Sequence, residues 1–144
     1  MEKYEFQILQ YQHDAVTGEF VNVGVVVYSA VDKFLAMKVL VDCKRVIDFF
    51  GGIDGFFLQK KIKEISEAVQ RISHPYLPDT SLDKLTSQVL NYDDGSFSFS
   101  LSKNGIDTSL ETALEDIFGR FVGKYCTNNS KTSSKKTLEN ILVY

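Results

Sequence analysis

The residues of this 144-residue chain with chemistry to offer are two histidines, two cysteines and a scatter of carboxylates. The densest grouping is His13, Asp14, Glu19 and Asn22. Because imidazole titrates near neutrality, His13 with Asp14 and Glu19 could supply a general base, a carboxylate that orients it, and an acid. Glu19 and Asn22 could instead recognise a ligand or partner. A His-Asp pair in polar sequence is more simply a solvated turn, so no catalytic residue is assigned. A zinc site would need His13, His74, Cys43 and Cys126 to converge, with none of the short ligand spacings that identify such sites, and no metal or cofactor is expected. His74, just before Pro75, reads as a helix end. The two distant cysteines fit reduced intracellular thiols better than a disulfide framework. Lys60, Lys61 and Lys63 form a basic cluster, but no aromatic residues interleave with it to stack bases. With 16 Lys and Arg against 19 Asp and Glu, a net charge of -3 argues against nucleic acid as the principal partner.

The elements that must position these residues follow from hydrophobic period. Residues 4–12 alternate, with Tyr4, Phe6 and Ile8 on one side. The polar segment 13–19 then turns the chain into a second strand over 20–28, whose Val21, Val23, Val25 and Val27 form one apolar face. A third strand over 34–41 places Leu35, Met37, Val39 and Val41 together, so an antiparallel meander is expected. A short helix over 45–50 should stop at Gly51-Gly52. Asp54 caps a longer helix in which Leu58, Ile62, Ile65, Val69 and Ile72 draw one stripe, ended by Pro75 and Pro78. A weaker helix over 82–90 buries Leu82, Leu85 and Val89 behind an imperfect Thr80–Asp83 capping box. Residues 96–102 alternate Phe97, Phe99 and Leu101 against serines as a half-buried strand. Thr108 with Glu111 boxes the start of a last helix with Leu110, Leu114, Ile117, Phe118, Phe121, Val122 and Tyr125 in one stripe. The fold class is α+β: an antiparallel meander of three to four strands with the two long helices packed on one face.

A composition of 44% hydrophobic and 24% charged residues fits one globular domain, placed at 1–126. Residues 127–137 read as a polar linker, since 127–136 carry no apolar side chain. Residues 138–144 turn apolar again, with Leu138, Ile141, Leu142, Val143 and Tyr144 forming a strand-like tail suited to interaction. That tail could pair within its own chain or in another. No apolar stretch approaches the roughly 20 residues a membrane span needs, and no export signal is visible, so a cytoplasmic protein is expected.

The run Gly18-Glu19-Phe20-Val21-Asn22-Val23-Gly24-Val25 resembles the opening motif of a bacterial family catalogued as domain of unknown function 3037. The aromatic-rich first strand, the acidic loop and the acidic helix over 107–122 extend the resemblance to roughly the first 125 residues. It implies no activity and no catalytic residues. It does imply a protein partner, a HipA-like kinase-family protein being the one the resemblance offers. Within the motif, Gly24 removes a side chain where another group approaches closely, Tyr11 or Phe49 being the expected neighbours, and Asn22 would satisfy backbone groups across a bend or bulge. The expected function is non-enzymatic interaction or regulation through protein contacts, with homo-oligomerisation open. A small enzyme with a polar site near the first hairpin, or a weak nucleic-acid binder, is the alternative.

Overall fold

The computed structural model describes residues 1–14, 16–41, 44–50, 54–74, 76–90, 96–123 and 141–143. The strands are β1 (Glu2–Asp14), β2 (Glu19–Ser29), β3 (Phe34–Val39), β4 (Phe97–Phe99), β5 (Lys103–Asp107) and β6 (Ile141–Val143). The helices are α1 (Lys44–Phe50), α2 (Gly55–Arg71), α3 (Leu82–Ser87) and α4 (Leu110–Phe121). All observed pairings are antiparallel, in the order β4-β1-β2-β3-β6, with β5 also on β1. This is the α+β architecture expected from sequence, with the meander at its centre.

Period-2 geometry sorts the sheet into two faces, because directly paired residues point the same way. Phe6, Val27 and Ala36 share one face with Ile8, Val25 and Lys38. There Lys38 reaches Glu115 on α4, and the Phe6 and Phe121 rings lie 6.3 Å apart. The other face carries Gln7, Val26 and Met37 beside Leu9, Gly24 and Val39. On it Gln7 bonds Asp83 and Thr86 of α3, and the Tyr28 hydroxyl donates to Pro78 O and accepts from Thr80 N. Both faces being covered, every residue of β2 from 23 to 29 is buried. α2 packs along β3 and buries Leu58, Ile62, Ile65 and Val69. Its Asp54 cap accepts from the Phe56 and Phe57 amides, as the sequence predicts.

Several boundaries differ from the sequence reading. The strand expected over 96–102 is shortened to β4, and β5, which the sequence reading did not include, follows it end to end along β1. Four steps separate Phe99 from Lys103 where three separate Leu9 from Phe6, so one extra residue bulges out. At the bulge Ser100 N donates to Ile8 O while Ser100 Oγ accepts from Ile8 N, the hydroxyl replacing a ladder carbonyl. Alternation breaks there, and Leu101 is 86% exposed instead of joining Phe97 in the core. Val41, past the end of β3, is likewise exposed. The cap of α4 is Ser109, whose Oγ accepts from Thr112 N, with Asp107 Oδ1 holding the Thr108 and Ser109 amides just before it. Thr108 is therefore one residue too early. α3 ends at Ser87 with Ser81 at its N-cap, not Thr80, and it buries Thr86, while Val89 is only partly buried.

Candidate functional site

The β1–β2 hairpin turns through residues 16–18, where Gly18 takes the left-handed φ of +76°. Asp14 and Glu19 pair across the strand ends; the side chain of Asp14 lies outside the described residues. Glu19 is exposed, and its amide donates to Thr17 Oγ1. His13 is the residue skipped by a register shift between Gln12 and Asp14; it is exposed and its ring lies 6.2 Å from that of Tyr11. The hairpin mouth thus exposes His13 and Glu19, with the Asp14 backbone between them in the ladder.

Asn22 goes elsewhere. The β1–β2 register shifts between Leu9 and Gln10, pairing Leu9 with Gly24 but Gln10 with Asn22, so Val23 is the extra residue of a bulge. The shift moves Asn22 onto the face of Gln10 and Ile8, beneath α4. Its Nδ2 donates to Phe121 O at 3.0 Å and its Oδ1 accepts from Gln10 Nε2 at 3.3 Å. Asn22 satisfies one of the orphan carbonyls at a helix C-terminus. Gly24, next to the bulge, makes room for β3: a Cβ there would meet Val39, the Lys38 carbonyl and Met37. Those neighbours replace Tyr11 and Phe49 of the sequence reading.

The most unusual chemistry inside the molecule was missed from sequence. Lys38 is fully buried in β3, its Nζ 2.6 Å from Glu115 Oε2 and 4.6 Å from the Phe118 ring centroid. A cation placed over a ring and against a carboxylate is compensated twice. Glu115 Oε1 has no partner among the described residues. Lys38 stood in plain view as the one charge in an apolar strand, but nothing local pointed to a carboxylate 77 residues away.

A shallow cleft of about 450 Å³ lies at the other end of the sheet, between Lys3-Tyr4-Glu5, Tyr28 to Val31 and Asn104 to Ile106. Three of its polar side chains are committed. Tyr28 is held by Pro78 and Thr80, Ser29 by Asp32, and Glu5 Oε1 accepts from Leu82 N and Ser102 Oγ. Burial pushes the Tyr28 phenol above its usual 10.0, helped by Asp79 and Glu5 and opposed by the Thr80 amide. Burial also raises Tyr4, with Asp107 and Asp116 adding to it against Arg120. Both phenols stay protonated at neutral pH and are not nucleophiles; Tyr28 serves as a hydrogen-bonding group, and the Tyr4 ring packs over Gly105.

The remaining sequence candidates are scattered. Lys60 and Lys63 are exposed on α2 and Lys61 is half-buried. His74 is exposed beyond the α2 terminus, its amide bonded to Arg71 O. Cys43, Cys126, Leu138 and Tyr144 fall outside the described residues, as do the side chains of Ile141, Leu142 and Val143. The backbone of those last three pairs with Lys38, Met37 and Ala36 of β3 in the same chain. Among the described residues no helix is long and apolar enough to cross a membrane.

Residues 6–122 match the family model described as "Protein of unknown function (DUF3037)", and the chain belongs to that family. No curated protein and no solved structure matches it.

Proposed function

We propose that this member of the DUF3037 family works through protein contact in the bacterial cytoplasm, its C-terminal strand holding a sheet edge that a partner protein can claim. The observation that carries the reading is the position of β6. It lies on the outer edge of β3, beyond the family-matched residues 6–122 and joined to them through a segment whose residues 127–136 carry no apolar side chain. A three-residue strand contributes few backbone bonds, so a partner strand of similar apolar character can displace it by β-augmentation. The committed polar groups of the cleft and the raised phenols support a binding role over catalysis.

The test is affinity purification from the native cell with the full chain and with a chain lacking residues 128–144. The expected result is one protein recovered in stoichiometric amount with the truncated chain, whose β3 edge is free, and in smaller amount with the full chain, where β6 competes for that edge, while the truncated chain still unfolds cooperatively. A HipA-like kinase-family protein is the partner the sequence resemblance offers. Equal recovery by both chains would refute the role of the tail. Nucleic acid recovered in a strongly salt-dependent manner, or turnover of a small molecule, would refute the reading itself.

A further inference from the structure

The opposite edge of the sheet is formed by β4 and β5, and no other strand pairs with their outer side among the described residues. The direction of its backbone groups follows from β1. Ile8 exchanges bonds with Ser100, and Gln12 N donates to Ser96 O, so the even-numbered residues of β1 point toward this edge. Their partners Lys103, Gly105 and Asp107, opposite Phe6, Tyr4 and Glu2, point back. Asn104 and Ile106 therefore aim their N–H and C=O groups outward, both side chains being exposed.

An edge lysine such as Lys103 normally discourages strand pairing. Here the strand carries its own answer. In an antiparallel pairing of two copies about a two-fold axis at Gly105, Asn104 faces Ile106 of the partner subunit and each pair exchanges two backbone bonds. That register puts Lys103 opposite Asp107 of the partner subunit, twice. Slipping by two residues either way loses both ion pairs, and slipping by one turns the outward groups away from each other. Lys103 is exposed with no ion pair among the described residues, and Asp107 Oδ1 is fixed by the Thr108 and Ser109 amides. The 100–102 bulge ends the pairing on one side and the α4 cap on the other. We infer that a second copy of this chain docks on β5, pairing residues 103–107 antiparallel about Gly105 with Lys103 against the partner subunit's Asp107, to make one sheet through a two-fold dimer.

This surface lies across the sheet from β6, so its test is separable from that of the tail. Sedimentation equilibrium of the full chain over a concentration series should show a monomer–dimer equilibrium that deletion of residues 128–144 leaves intact. Lys103→Glu, which sets like charges opposite each other, should raise the dimer dissociation constant about tenfold or more. Ile106→Pro removes an outward N–H without touching the bonds to β1, a substitution edge strands tolerate, and should abolish the dimer. Register is read by cross-linking in a Cys43→Ser/Cys126→Ser background. A mixture of Asn104→Cys and Ile106→Cys chains should form an intermolecular disulfide, and neither alone should, because only directly opposed residues come within disulfide range. A full chain that stays monomeric, including one that instead holds another protein on this edge, would overturn the inference. So would a dimer lost with the tail, a dimer indifferent to Lys103→Glu, or efficient cross-linking of either cysteine variant alone. Should Ile106→Pro fail to fold, Lys103→Glu and the cross-links still decide.

Discussion

Gly24 sits in the middle of the sheet between Leu9 and Val39, and replacing it measures how tightly β2 and β3 are fitted. A Cβ there would lie 2.9 Å from Val39 Cγ1, 3.3 Å from the Lys38 carbonyl oxygen and 3.4 Å from Met37 Cε. Carbon atoms prefer separations of about 3.5–4.0 Å, so Val39 must move. A β-branched side chain has few rotamers to move into. The Lys38 oxygen is backbone in a paired strand and yields less easily. Against this, replacing a strand glycine recovers about 0.5–1 kcal/mol of backbone entropy, which for Gly24→Ala nearly offsets the crowding. Gly24→Val brings two more methyl groups into the same space, and overpacking of this kind costs about 1–3 kcal/mol. With a urea slope of about 2 kcal/mol/M, the unfolding midpoint of Gly24→Val should fall by about 0.5–1.5 M at constant slope. A midpoint equal to that of the parent would refute the packing account and shift this face of the hairpin toward recognition.

Glu19→Ala should melt like the parent, within about 0.5 kcal/mol, because Glu19 is exposed at the hairpin end; a loss of several kcal/mol in denaturant unfolding would require a buried, paired carboxylate. Tyr28→Phe removes the donor to Pro78 and the acceptor for Thr80 N and should cost about 1–2 kcal/mol by the same assay. The raised phenols of Tyr4, Tyr11 and Tyr28 bind their protons more tightly folded than unfolded, so the stability they contribute is complete below pH 10 and lost as pH rises past it. Unfolding followed across the alkaline range should show that decline, shallower in Tyr28→Phe, and a flat profile would contradict the burial argument. Glu115→Leu should destabilise by about 3 kcal/mol, and Lys38→Met/Glu115→Leu by less, since an apolar pair suits this site better than half an ion pair; a double variant worse than the single one would refute that reading.

What was legible in the sequence is what repeats at short range. The α2 stripe from Leu58 to Val69, the Asp54 cap and the β1–β2–β3 meander each follow from a period or a turn residue within a dozen positions. β5 escaped because Lys-Asn-Gly-Ile-Asp holds a single large apolar residue and shows no alternation, being an edge strand covered on few sides. Leu101 was misplaced because alternation runs smoothly through 97–101 in the sequence, while the bulge at 100–102 depends on pairing with β1. At the hairpin, His13, Asp14 and Glu19 are close in sequence and stay at the strand ends, but Asn22 leaves them because of a register shift that composition does not record. The Lys38–Glu115 pair is non-local altogether: strand and helix periods each mark a charged position, and only the docking of α4 makes them one feature.

The bulge at Val23 divides β2 into two halves written in opposite phase. From Gly24 onward even positions face α3; from Asn22 backward they face α4. A chain lacking Val23 would close the bulge into a regular ladder, Gly24 still opposite Leu9 and Asn22 still opposite Gln10, so Asn22 would keep its side and its reach to the Phe121 carbonyl. What the deletion removes is Val23 itself, a fully buried side chain whose carbonyl accepts from Leu40 N just past the end of β3. The extra residue thus serves the β3 side of the strand, and a hairpin graft that omits it keeps the β1–β2 ladder while losing a tie to β3.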